Sequence, residues 1–270
     1  MKRMHRSLVA ITFAATLVAL ASAVPAAELD IRPQNKAVWR AHPADVKAVL
    51  NSAALPLWKQ FPERELAPIL VEPKGGPIVL FRRGENGEYL VRLDTGETYW
   101  SQYAYQFAHE LCHILCGYDE DAHRNKWFEE SLCEVASLYT LRAMSEQWKT
   151  DAPYDNWKGY SASLKSYADE RMATAQLPEG KTLAAWFADN EATLYANATD
   201  REMNNIVAVQ LLPLFEEDPS RWEAVTWLNK AKSTQSQTFG DYLSDWRQHA
   251  PEKHRAFIKT VGERFGVEVE

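Results

Sequence analysis

The feature that most restricts how this chain can fold is a pair of histidines, His109 and His113, set four residues apart inside the apolar run Tyr103 to Leu115. The run reads as one helix, and at about 100° per residue the second imidazole returns to within ~40° of the first, one turn along. Both rings can therefore reach one metal ion. Glu110 cannot share their direction well enough to be a ligand, but it can reach a water on the ion's open side. From the chain's own His and Glu content, a His-Glu-x-x-His pattern arises by chance on the order of once in a hundred such sequences. Its flanks, Tyr103-Ala104-Tyr105-Gln106-Phe107-Ala108 and Ile114-Leu115, bury the helix. Two unpaired imidazoles in a buried helix are costly unless something satisfies them, and a metal does so.

Catalytic zinc usually takes three protein ligands and keeps one position for water, so a third ligand must lie elsewhere. His123 would suit a HExxHxxGxxH pattern, but Gly117 comes four residues after His113 and His123 comes ten after it, so that spacing fails. Glu130 is the other candidate. It lies 17 residues beyond His113, in Trp127-Phe128-Glu129-Glu130-Ser131-Leu132-Cys133-Glu134, at the start of a second strongly helical segment. Here the chain resembles the gluzincins, the superfamily that contains thermolysin and the aminopeptidase-N-like enzymes. Their third ligand is a Glu on a helix packed against the HExxH helix, in a W-L-N-E-G-F-A-like segment in the aminopeptidase branch. Trp127, Phe128 and Glu130 match it, with Ser131 at the small position and Cys133 where a small residue is usual.

The resemblance covers mainly residues 103 to 140, and more faintly extends to about 215. It implies a zincin-like metalloprotease fold, one zinc per chain held by His109, His113 and Glu130, and hydrolysis of peptide bonds by a zinc-activated water with Glu110 as general base. Only one of two neighbouring helical side chains can face the metal, which sets Glu129 aside. Glu134, one turn beyond Glu130, is placed to accept a hydrogen bond from the distal nitrogen of a ligand His. Thermolysin-like enzymes carry an Asp in this register. For the oxyanion, gluzincins use a Tyr or His of the helical lobe, and Tyr195 in Leu194-Tyr195-Ala196-Asn197 is the counterpart, with Tyr154, Tyr160 and Tyr167 as rivals. The aminopeptidase-type G-x-M-E-N segment is absent, which leaves endo- and exopeptidase open. A catalytically inactive binding or scaffold protein of the cell envelope, or a zinc hydrolase of a non-peptide amide, would use the same residues.

All three cysteines, Cys112, Cys116 and Cys133, sit around this centre. Cys116 follows His113 by three residues and Cys133 follows Glu130 by three, so two helices facing one zinc bring these sulfurs close. A Cys116–Cys133 disulfide is the expectation, with Cys112 as the substitute partner and three buried thiols as the alternative. Thiolate coordination would close the open zinc position.

Upstream, Ala44 to Phe61 reads as an amphipathic helix that Pro56 should kink or shorten. Strand candidates follow at Pro68 to Glu72, Pro77 to Arg82 and Glu88 to Leu93, the last entered by a turn at Gly84-Glu85-Asn86-Gly87. Glu88 to Leu93 is the expected edge strand for a peptide substrate. From Ser101 on, helical periods run through Phe128–Gln147, Tyr160–Thr174, Asp200–Phe215, Trp222–Ala231 and Phe239–Val261. The expectation is an α+β fold in a single catalytic domain, residues 28–270, with a small mixed lobe over 28–100 and a mainly helical lobe over 101–270.

Residues 1–27 read as a signal peptide, with a basic opening, an apolar run from Leu8 to Ala21 and small-residue cleavage options. This predicts an exported protein, periplasmic or secreted, with no integral membrane span after cleavage. With 30 basic against 37 acidic residues and no basic block with interleaved aromatics, nucleic acid is not the expected partner, and a peptide or protein substrate is.

Overall fold

The structure, a computed structural model, describes residues 28–34, 36–118, 120 and 123–270. The expected signal peptide lies outside the described residues. The chain is mostly helical with one small sheet, compatible with an α+β class. Its strands are β1 (Ile31–Pro33), β2 (Ile69–Pro73), β3 (Ile78–Val79) and β4 (Tyr89–Leu93), in the order β1-β2-β4-β3. The first three of that order run parallel, and β3 is antiparallel to β4 with Val79 opposite Val91. Alternation decides which side is core: Ile69 and Val71 of β2, and Val91 and Leu93 of β4, are fully buried while their neighbours are partly exposed.

Against the sheet lie α1 (Pro43–Trp58) and α2 (Trp100–Cys116), followed by α3 (Lys126–Trp148), α4 (Ser161–Thr174), α5 (Leu183–Ala196), α6 (Arg201–Glu217), α7 (Phe239–His249) and α8 (Glu252–Phe265). Pro56 does not end α1 but sits in its last turn. The helix expected over Trp222–Ala231 is a 3-10 segment, Pro219–Trp227. The one expected over Phe239–Val261 is two helices, because Pro251 cannot continue α7 and instead opens α8. β1 and α5 were not expected from the sequence. Three residues ending in Pro are too few to alternate, but Thr182 caps α5 by accepting from Ala185 N–H, a start signal the sequence carried. No helix among the described residues is long and apolar enough to cross a membrane.

One hydrophobic cluster runs through the whole assembly, and α3 is its axis, packed by α1, α2, α4 and α6. Trp127 and Phe128 anchor its first turn in an aromatic cluster contributed by later helices. Their rings lie 4.8 and 5.0 Å from that of Phe239, and Phe187 and Phe265 close the group. The C-terminal helices thus hold the start of α3, which matters for the residues that follow.

The end of α2 is fixed as firmly. Gly117 adopts a left-handed φ of 70°, which glycine tolerates without a Cβ clash, and Tyr118 N–H returns to the His113 carbonyl. The guanidinium of Arg64 donates to the carbonyls of Leu115 (2.7 Å) and Ile114 (3.1 Å) and to Thr226 Oγ1 (3.1 Å). Arg64→Met keeps much of the apolar stem but orphans these carbonyls. It is expected to cost about 2–3 kcal/mol, read as a lower midpoint in urea or on heating.

Candidate metal centre

His109 and His113 project from α2 into a cleft of about 310 Å³, with ring centroids 5.0 Å apart. Glu130 Oε2, from α3, lies 3.3 Å from His109 Nε2 and 3.7 Å from His113 Nε2. Ligands of a tetrahedral ion at about 2.0–2.1 Å stand ~3.3 Å apart, so Glu130 lies close to ligand spacing from each of the two imidazoles. The other ring nitrogens face carboxylates as well. His109 Nδ1 is 3.6 Å from Glu134 Oε1, and His113 Nδ1 is 2.5 Å from Glu129 Oε1. Each imidazole therefore turns one nitrogen to the shared position and the other to a group that orients it.

Glu129 faces away from the shared position but serves one of the imidazoles. Two neighbouring helical side chains cannot face the same ion, but one can serve the ligand that does. Glu129 is fixed from behind by Asn229 Nδ2, 2.7 Å away, and Asn229 accepts from Tyr242 O–H at 3.0 Å. Glu134 has a matching support, since it accepts from the hydroxyl of Tyr105. Tyr105 lies one turn before His109 on α2, a helical spacing that could have pointed to it. Asn229, 99 residues after Glu130, could not have been found by spacing.

Burial disfavours protonation of His113, but hydrogen bonds to Glu129 and Glu130 outweigh it and raise its pKa well above that of a free imidazole. Burial would also raise Glu130, yet the two imidazoles hold it far below the usual carboxylate range. Glu110, 3% exposed, is pushed above that range by burial, against the pull of both histidines. Four carboxylates thus stand around two imidazoles, a set of groups that a divalent cation would suit.

The ligating atoms of His109, His113 and Cys133 also lie within 4.8 Å of one another, and this buried group could hold a metal ion. Glu130 is the alternative to Cys133 beside the two imidazoles. Burial drives the Cys133 thiol well above its usual pKa, so the thiolate a metal needs is costly, whereas Glu130 is already anionic and lines the cleft. The expected Cys116–Cys133 disulfide is not formed. All three cysteines are free buried thiols, and Cys112 stands between the other two, with its Sγ 4.0 Å from that of Cys116.

Two further expectations are corrected. Tyr195 does not line the cleft: its hydroxyl donates to Glu191 at 2.5 Å and Arg124 covers its ring. Glu88–Leu93 is not an edge, because β4 is paired on both sides, by β2 and β3. The edge that borders the cleft is β3, whose Val79 backbone hydrogen-bonds Glu110. Beyond β3 the wall continues through Phe81 and Tyr118, whose hydroxyl donates to the Leu80 carbonyl at 2.8 Å. The opposite wall is the start of α6, with Thr199, Arg201 and Asn204. His123 lies apart, against Tyr242. Compared with protein families, curated proteins and solved structures, the chain matches none.

Proposed function

We propose that this chain is an exported zinc-dependent metallopeptidase of the gluzincin type, with a zincin-like fold and one zinc held by His109, His113 and Glu130. The observation that carries the reading is the double orientation of the imidazoles, with both Nε2 atoms on Glu130 and both Nδ1 atoms on carboxylates of their own. A zinc ion held there supplies Lewis acidity, polarising a carbonyl and making water a stronger acid. Glu110 neighbours both histidines without being oriented as a ligand. Its raised pKa suits a group that takes a proton from water and returns it to the leaving nitrogen. β3 offers an extended backbone edge along which a peptide can lie, in place of the expected Glu88–Leu93. Tyr195 has its hydroxyl on Glu191 and Tyr118 has its hydroxyl on the Leu80 carbonyl, so neither tyrosine offers a donor for developing negative charge.

The test is elemental analysis of the purified chain beside an unbiased peptide-cleavage profile. One equivalent of zinc, with cleavage that a chelator abolishes and zinc restores, is the expected result. A zinc-loaded protein that cleaves no peptide would overturn the peptidase reading in favour of a scaffold or a non-peptide amide hydrolase.

A further inference from the structure

The two long walls of the cleft differ in chemistry. The β3 side is apolar, with Ile78 and Phe81 more than two-fifths exposed and Tyr118 beside them, and its one cation, Lys126, lies over the Phe81 ring. The floor is acidic, but its carboxylates are already engaged: Glu129 by His113 and Asn229, Glu130 by both histidines, and Glu134 by Tyr105 and His109. The α6 side carries Arg201. Its Nε forms a long ion pair with Glu134 Oε1 at 3.8 Å, too far for a hydrogen bond, and its guanidinium makes no hydrogen bond among the described residues. The side chain is 60% exposed, and it opens on the same cleft as the two histidines.

A guanidinium with one long ion pair on its Nε keeps a planar fork of donors that fits a carboxylate in two parallel hydrogen bonds. Glu134 joins this one to the ring of His109, with Oε1 3.6 Å from Nδ1 on one side and 3.8 Å from Nε on the other. Extended chain advances ~3.3–3.6 Å per residue, so a peptide centred on His109, His113 and Glu130 brings a group one or two residues away to Arg201. We propose that Arg201 is a carboxylate anchor that gives the cleft a preference for peptides with a negative charge one or two residues from the bond held at the centre. The proposal rests on the peptide-cleft reading above. The carboxylate comes from either a free C-terminus or an acidic side chain, and an adjoining apolar residue would lie on the Phe81–Tyr118 wall.

Binding to the zinc-loaded Glu110→Gln protein tests this without requiring turnover. Acetylated short peptides containing Phe are titrated by calorimetry in three forms: free acid, C-terminal amide, and amide with Glu in the last or penultimate position. The free acid, the Glu amide or both should bind at least about tenfold more tightly than the neutral amide. Arg201→Gln should abolish the difference and Arg201→Lys should keep part of it, with zinc content unchanged in both. Equal binding of acid and neutral forms, binding of none, or an acid preference that survives Arg201→Gln overturns the anchor. Cleavage by the native protein separates the two ideas. Hydrolysis without acid preference sinks the anchor and spares the peptidase, while acid-selective binding without hydrolysis does the reverse.

Discussion

Glu110→Gln should lower kcat/KM for peptide hydrolysis by about 10²–10⁴-fold while the protein still binds one zinc. The separation follows from the geometry. Both Nε2 atoms converge on Glu130, so the metal position needs nothing from Glu110. Gln has the same shape and can accept the Val79 hydrogen bond that Glu110 accepts. What Gln lacks is a site that takes up a proton and gives it back. Kinetics and elemental analysis on the same preparation check this. A variant that cleaves peptides at an undiminished rate would remove Glu110 from the mechanism and with it the proposed reaction.

The second large effect separates two adjacent glutamates. Glu129→Gln is expected to weaken zinc binding by about 10–100-fold, the usual loss when a group that orients a ligand is changed. Glu130→Ala should weaken it further, because a ligand itself is lost and the two imidazoles then face each other with no anion between them. Competition against a chromogenic chelator measures both. Bound zinc also stabilises the fold by mass action, so the rise in melting temperature on adding zinc should shrink in Glu129→Gln and vanish in Glu130→Ala. An Ala variant that binds zinc like the native chain would instead favour the group that includes Cys133.

Much of this centre was legible because helical spacing is a strict ruler. His109, His113 and Tyr103 to Leu115 defined one helix, and Glu130 and Glu134 fell on the second at the right turns. Other features escaped for physical reasons. The role of Glu129 depends on the angle between α2 and α3, which local periodicity does not encode. Asn229 and Arg201 arrive from distant segments through tertiary packing. Tyr195 had the expected spacing, but Glu191 lies one turn before it on the same helix and takes its hydroxyl. β4 had the clearest alternation in the sheet, and that marks burial on one face rather than a free edge. The two residues of β3, which form that edge, are too few to show alternation.

Glu129 and Glu130 stand side by side with opposite duties, and that makes the centre sensitive to phase. A slip of α3 by one residue along its axis would move the backbone only ~1.5 Å but turn it by about 100°, carrying each carboxylate toward the other's post. The aromatic anchor at Trp127 and Phe128 resists this slip, because its large rings are locked against three later helices immediately before the two glutamates. A single inserted residue between Phe128 and Glu129 would therefore put either the aromatic anchor or the rest of α3, packed by α1, α2, α4 and α6, out of register, and the two glutamates with it.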